Sequence, residues 1–344
     1  MTETHRPTEN SAGTSIKPPM TQAAAEAPMR PNRYLTSADL LLRYAMVLVL
    51  VVLTIIAESF YHGFFHFANL NIAIDQAVPV GIIAVGMTFV IIGGGFDLSV
   101  GSTYAGAGVI FASVSNHMPL WVAFICTVIG GLVAGGVNAV IITKLNVNTF
   151  IATLASSSVI LGAAYVYAPS GSVSATASGF AALGTDEWGG IWIATYTLVA
   201  VLVVGGVALS RTPYGRSVYA IGGNKEAARL CGMRVKMIQG STFLISGACA
   251  AVAGVITASQ TGVGSATIGT DTALDVITVV IIGGTSLLGG EGAMWRTFVG
   301  ILIWGTLTNI FGTLAISSSV QLLITGGVLV FAVSMDSLSR RLRH

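Results

Sequence analysis

Charge is scarce in this chain. Asp, Glu, Lys and Arg make up 9% of its 344 residues, where an ordinary soluble domain carries roughly 25%. So few charges cannot clothe a water-facing surface, which excludes a soluble globular domain. Cysteine is scarce as well. Cys126, Cys231 and Cys249 show no metal-ligand spacing and no disulfide framework, and they read as buried small hydrophobes. The five histidines (His5, His62, His66, His117 and His344) all fall outside the apolar stretches. There is no His-Glu-x-x-His run and no histidine at membrane depth to activate a serine, so a membrane-embedded enzyme finds no machinery here. His62 and His66, four apart on an outer loop, are an isolated pair. A Gly-x-x-x-x-Gly-Lys-Ser/Thr phosphate loop is also missing. No cofactor, metal or nucleic-acid partner is expected, and the net charge of +2 points to no particular partner.

What is present is apolar. Hydrophobic residues make up 53% of the chain, with 42 glycines and a mean hydropathy of +0.82. A helix needs about 20 apolar residues to cross the hydrocarbon core. Eight segments qualify clearly: 41–57, 72–92, 121–142, 150–167, 191–209, 237–259, 297–311 and 320–335. Two more, 98–113 and 273–282, are short and bordered by glycine clusters, giving eight spans or ten. The first forty or so residues are polar and lack the apolar core of a signal peptide; they are expected to form a disordered tail.

Basic residues collect on the cytoplasmic side of such proteins. With the N-terminus inside and ten spans, the outer loops 58–71, 114–120, 168–190, 260–272 and 312–319 contain no Lys or Arg, and all 16 basic residues lie on the other side. Dropping both short spans keeps the two termini inside but puts Lys144 and the basic residues of 210–236 outside, so the charge pattern needs both. Trp121, Trp188 and Trp192 fall near the outer boundary and Trp295 near the inner one, as interfacial tryptophans do; Trp304, mid-span, reads as packing.

Unusually short or glycine-broken apolar segments point to transport sites. One break is Gly93-Gly94-Gly95-Phe96-Asp97-Leu98-Ser99-Val100-Gly101-Ser102 and the other Gly283-Gly284-Thr285-Ser286-Leu287-Leu288-Gly289-Gly290-Glu291-Gly292. Each follows an Ile-Ile-Gly-Gly run. Gly94, Asp97, Ser99, Gly101, Gly284, Thr285, Ser286 and Gly290 are the candidates for a pathway or gate. Asp97 has two compatible readings, a pathway residue and a cap on a helix starting at Leu98. Gly131 and Gly135 have the spacing of a helix contact. Asp75, Asp271 and Asp275, at outer span ends, read as acids at solvated helix N-termini or as the wall of an aqueous vestibule.

The longest inner loop, 210–236, carries Asn224, a good N-cap, with Glu226 in the following turn and Gly232 as a C-terminal stop. This predicts a helix of about two turns. Too short to be stable alone, it either docks on a partner or lies on the membrane face.

Here the sequence resembles a known family. Glu226-Ala227-Ala228-x-x-x-Gly232 resembles the ATPase-docking loop of ABC-importer permeases. The run Gly94-Gly95-Phe96-Asp97-Leu98-Ser99-Val100-Gly101-Ser102 is similar to a signature of the monosaccharide-importer permeases for ribose, xylose, arabinose and galactose. The stretches 220–230 and 281–290 also look like that family, and the likeness runs from about 65 to 340. Branched-chain amino-acid permeases share the general architecture, but the 94–102 run favours the sugar group. The resemblance implies an all-α membrane protein of about ten transmembrane helices with cytoplasmic N- and C-termini. Its parts are a polar tail (1–40), a permease body (41–338) with the coupling loop 210–236, and a basic C-terminus (339–344). It implies a bacterial inner-membrane location and docking through Gly223, Asn224, Glu226, Ala227, Ala228, Arg229 and Gly232. The implied partners are an ABC ATPase subunit, an extracytoplasmic sugar-binding protein, a second permease copy or sister permease, and the lipid membrane. An ion-coupled secondary transporter is the rival reading, with Asp97 as the one intramembrane ionisable group available for coupling.

Overall fold

The computed structural model describes residues 37–341, with side chains over 44–334. The expected tail, the basic residues Arg30, Arg33 and Arg43, and the C-terminal Arg340, Arg341 and Arg343 lie outside the residues whose side chains are described. Met1–Leu42 and Arg43–His344 are separate units. Of the first, the described part is the helical stretch from Ser37; the second carries the fold.

Helices dominate the structure: α1 (Ser37–Phe60), α2 (Phe67–Ile92), α3 (Val100–Ser115), α4 (Leu120–Lys144), α5 (Thr149–Tyr167), the single turn α6 (Ala182–Thr185), α7 (Ile193–Arg211), α8 (Pro213–Gly223), α9 (Lys225–Leu230), α10 (Val235–Thr261), α11 (Thr272–Ile282), α12 (Met294–Thr313) and α13 (Ser318–Arg341). Long apolar runs end as helices because lipid offers no partner to backbone N–H and C=O groups, so each run must satisfy them internally. All ten apolar segments coincide with helices; those at 98 and 191 begin two residues later than expected. Among the described residues, α2, α4, α5, α7 and α10 are long and apolar enough to cross a membrane, and shorter apolar helices lie at Tyr44–Phe60, Val100–Ser115, Thr272–Ile282 and Ser318–Ser334.

Of the five long apolar helices, α2 and α10 are the most enclosed. The most apolar windows of α2 and α10 are 72% and 67% buried, against 22–28% for α4, α5 and α7. The latter three bury a strip of small residues (Gly131, Gly135, Ala152, Ser156, Gly205) and turn Ile129, Val133, Leu154, Val159, Val203 and Val204 outward. That division of faces suits a lipid surround. Side-chain pairs tie α2 to α12: buried Thr88 with Thr297 at 2.8 Å and half-buried Asn69 with Asn309 at 3.1–3.2 Å. The expected packing role of Gly131 and Gly135 holds, since their Cα atoms lie against the α10 backbone at Gly247 and Phe243. Trp304 is buried, as expected of packing.

Three expectations need correction. First, the inner loop holds two helices, because Pro213 at the first turn and the Thr212 side chain, which accepts the Gly215 N–H, start α8 ahead of α9. Second, the loops expected on the outer side carry short antiparallel ladders, β1 (Ser172–Ser174) with β4 (Val263–Ser265) and β2 (Glu187–Trp188) with β3 (Ile191–Trp192). Two- and three-residue strands are too short to show alternation. Third, Cys126 and Cys231 are exposed; only Cys249 is buried.

The 11-residue α11 is about 16 Å long, roughly half of a bilayer core. The chain leading into it lies along α3, with Gly264 in β4 against Gly108, and then Gly269, in the turn before α11, against Gly101. A half-length helix entered through a turn is a short apolar segment of the kind the sequence pattern pointed to.

Candidate functional site

Both Ile-Ile-Gly-Gly runs end their helices in the same way. Gly94 and Gly284 adopt φ of +77° and +86°, a left-handed conformation that costs glycine little. The next N–H then reaches back five residues, Gly95 to Val90 and Thr285 to Val280. This is the Schellman termination, and it explains why the second glycine of each pair is needed.

In the first break, Asp97 is buried. Its Oδ1 accepts the Ser99 N–H at 3.0 Å and the Ser99 hydroxyl at 2.6 Å. Ser99 Oγ in turn accepts from Asn138 Nδ2 at 2.7 Å, and the Leu98 N–H donates to Thr153 Oγ1 at 3.1 Å. Asp97 therefore binds backbone as a cap would, but the helix it precedes begins at Val100 rather than Leu98. Gly101 lies against Gly269, where a Cβ would come 2.3 Å from the Gly269 oxygen.

In the second break, Thr285 and Ser286 are buried. A tight turn is closed by the Ser286 N–H to Glu291 O at 3.0 Å and the Gly289 N–H to Ser286 O at 3.1 Å. Gly290 leaves this turn and donates its N–H to Ile92 O, the last residue of α2, at 2.8 Å. The two breaks thus meet at Gly94 and Gly289–Gly290, while Gly284 lies apart, beside Met46 and Arg296.

The α9 helix matches its expectation. The Asn224 side chain accepts the Ala227 N–H at 2.9 Å, and Gly232 takes φ +79° just beyond the helix end. Ala228 packs with Ile221 and Val235, and Lys225 Nζ donates to Gln239 Oε1 on α10 at 2.7 Å. The other face is open. Leu230 is 78% exposed, next to an Arg229–Glu226 ion pair at 2.6 Å. The Arg229 hydrogen bond and charge hold the Glu226 carboxyl below its ordinary range. Gly223, Asn224 and Ala227 are exposed beside them.

Of the acids expected at outer span ends, Asp75 is not at a helix N-terminus. It sits inside α2 and accepts from Gln260 Nε2 at 3.1 and 3.2 Å. Asp271 and Asp275 do flank the start of α11. The sequence reading missed Asn138 and Thr153, which brace the first break, and Tyr219, whose hydroxyl donates to Gly292 O at 2.8 Å. A polar side chain inside an apolar span, as at Asn138, was the available signal.

Residues 69–333 match the family described as branched-chain amino acid transport system / permease component. The chain is 37% identical to the ribose import permease protein of Haemophilus influenzae, over 84% of this chain and 91% of that protein. It is 37% identical to the L-arabinose transport system permease protein of Escherichia coli, over 88% and 92%. It is 38% identical to the ribose import permease protein of Bacillus subtilis, over 83% and 90%. No solved structure matches the chain at a significant level. A largely helical, lipid-facing chain that matches these permeases over most of its length belongs to the branched-chain amino acid transport system / permease component family and is a multi-pass membrane permease.

Proposed function

We propose that this chain is the transmembrane permease subunit of an ABC importer for a monosaccharide or a related polyol. The observation that carries the reading is the combination of sugar-permease relatives over most of the chain with a capped, outward-facing α9 at the position of the ATPase-docking loop. The family description names amino acids, but these relatives are named for ribose and arabinose, and the 94–102 run agrees with them. On this reading ATP is hydrolysed in a separate ATPase subunit, which docks on Asn224–Gly232. An extracytoplasmic binding protein delivers the solute, and a second copy or a sister permease completes the channel.

The proposed topology has ten crossings with both termini in the cytoplasm, counting α3 and α11. The polar tail is 1–40, the permease body 41–338 with its coupling stretch 210–236, and the basic end 339–344. Support for this orientation is the absence of Lys and Arg from all five outer loops. The residues proposed to shape the pathway or its gate are Gly94, Asp97, Ser99, Gly101, Gly284, Thr285, Ser286 and Gly290.

Reconstitution in proteoliposomes with the ATPase and the binding protein tests the function. Uptake of ribose, arabinose or a related sugar is expected to need ATP on the α9 side. Uptake that persists without the ATPase and collapses with an uncoupler would overturn the reading in favour of ion coupling. For the topology, exposed Cys231 is expected to react with an impermeant maleimide only from the cytoplasmic side.

A further inference from the structure

The α8 helix connects the docking helix to both breaks, and it does so through backbone. At its last turn, Gly222 lies so close to the end of α2 that a Cβ there would come 1.7 Å from Ile92 O and 2.6 Å from Gly290 N. A Cβ on Gly290 would come 2.7 Å from both Cα and N of Gly223, and one on Gly289 would come 2.9 Å from Gly94 Cα. The Gly290 N–H to Ile92 O hydrogen bond crosses this junction. Three and four residues before Gly222–Gly223, on the same helix face, Tyr219 is tied to Gly292 O. Burial holds the Tyr219 phenol above its ordinary value, with the nearby Arg296 charge pulling the other way, so this hydroxyl keeps its proton and donates. Asn224 then begins α9 directly after the junction.

A side-chain contact can absorb a displacement by changing rotamer. A backbone-to-backbone contact at this density has no such slack. A shift of α9 therefore carries α8 with it, and α8 moves the end of α2 and the Gly289–Gly292 turn together. Those two elements continue into Asp97–α3 on one side and into α12 on the other.

We propose that Tyr219 and the Gly222–Gly223 pair are positioning residues that transmit the state of the docked ATPase to the two broken segments. This inference rests on the importer reading. Gly222→Ala is a poor test, because its Cβ has no room and assembly itself can fail. Tyr219→Phe keeps the shape and removes one hydrogen bond. Tyr214→Phe is the control: it lies on the same helix but is bonded to Ser241 on α10 at 2.9 Å, away from the breaks.

In the full complex with ATPase and binding protein, sugar imported per ATP hydrolysed is measured together with assembly and basal ATPase rate. Tyr219→Phe is expected to assemble, to hydrolyse ATP at the basal rate, and to lose about fivefold in sugar per ATP, the order set by one hydrogen bond. Tyr214→Phe is expected to keep the native ratio. An unchanged ratio in Tyr219→Phe, or an equal loss in both variants, overturns the transmission role. A native complex that shows no ATP-dependent uptake would instead sink the importer reading itself.

Discussion

Gly131 and Gly247 face each other across α4 and α10, and neither has room for a side chain. A Cβ on Gly131 would sit 2.3 Å from Gly247 O, and one on Gly247 would sit 2.2 Å from Gly131 O. The contact is mutual and made of backbone on both sides. Gly131→Ala is therefore expected to push the two helices apart and to cost about 1–3 kcal/mol, the usual range for overpacking. Gly136, on the same helix, has nothing within 4 Å, so Gly136→Ala is expected to be neutral or slightly stabilising in the helix. Thermal unfolding of the two variants in detergent checks the difference; equal melting temperatures would contradict the close-contact account.

Asp97 is expected to matter as an acceptor more than as a charge. Asp97→Asn keeps an oxygen for the Ser99 N–H and is expected to retain the fold. Asp97→Leu leaves the Ser99 N–H buried without that acceptor, at a cost of about 1–3 kcal/mol. A melting curve that ranks the asparagine variant no better than leucine would show that ionisation dominates.

The Asn224 cap is a local determinant of α9. Asn224→Ala removes the acceptor for the Ala227 N–H and is expected to weaken the helix by about 1 kcal/mol. Because α9 is only six residues long, that loss is expected to appear as weaker ATPase association, by about fivefold. Asn224→Asp is expected to restore it. Titration of purified ATPase onto the reconstituted subunit reads both variants.

Glu226 and Arg229 give a pH prediction. Each is about two-thirds exposed, so their pairing adds little stability, but it moves the titration. The Glu226 carboxyl is held below its ordinary range by Arg229. The pair's contribution is thus present above the ordinary glutamate range and is lost as pH falls through the depressed value. Carboxyl-carbon NMR is expected to place the Glu226 midpoint below that of an unpaired glutamate, and Arg229→Gln is expected to return it upward. A midpoint unmoved by that substitution would show that the ion pair does not persist in solution.

Much of the architecture was legible in the sequence because lipid makes hydropathy nearly decisive. All ten apolar runs became helices, and the Asn224–Gly232 helix appeared with its expected cap and stop. What was not legible is long-range. The Asn138–Ser99 bond joins residues 39 apart, and the Tyr219–Gly292 bond residues 73 apart; no local pattern encodes either. Gly223 was expected only as part of the docking stretch, and Gly222 was given no role. Together they close α8 as the surface that two other glycine turns approach. Asp75 was misplaced because α2 starts at Phe67, ahead of the apolar run, and its partner Gln260, 185 residues further on, could not be read locally.

That last distance bears on how the chain enters the membrane during synthesis. Most of α2 is covered by α10 and α12 in the finished subunit, yet both are made long after it. The mean hydropathy of its most apolar stretch, 1.8, allows it to reside in lipid alone in the interim. Thr88 already satisfies its hydroxyl locally through Ala84 O before Thr297 exists. Asp75 has no such local substitute in the finished helix. On this account Asp75 is the α2 side chain that must wait for the end of α10, where Gln260 supplies its hydrogen bonds.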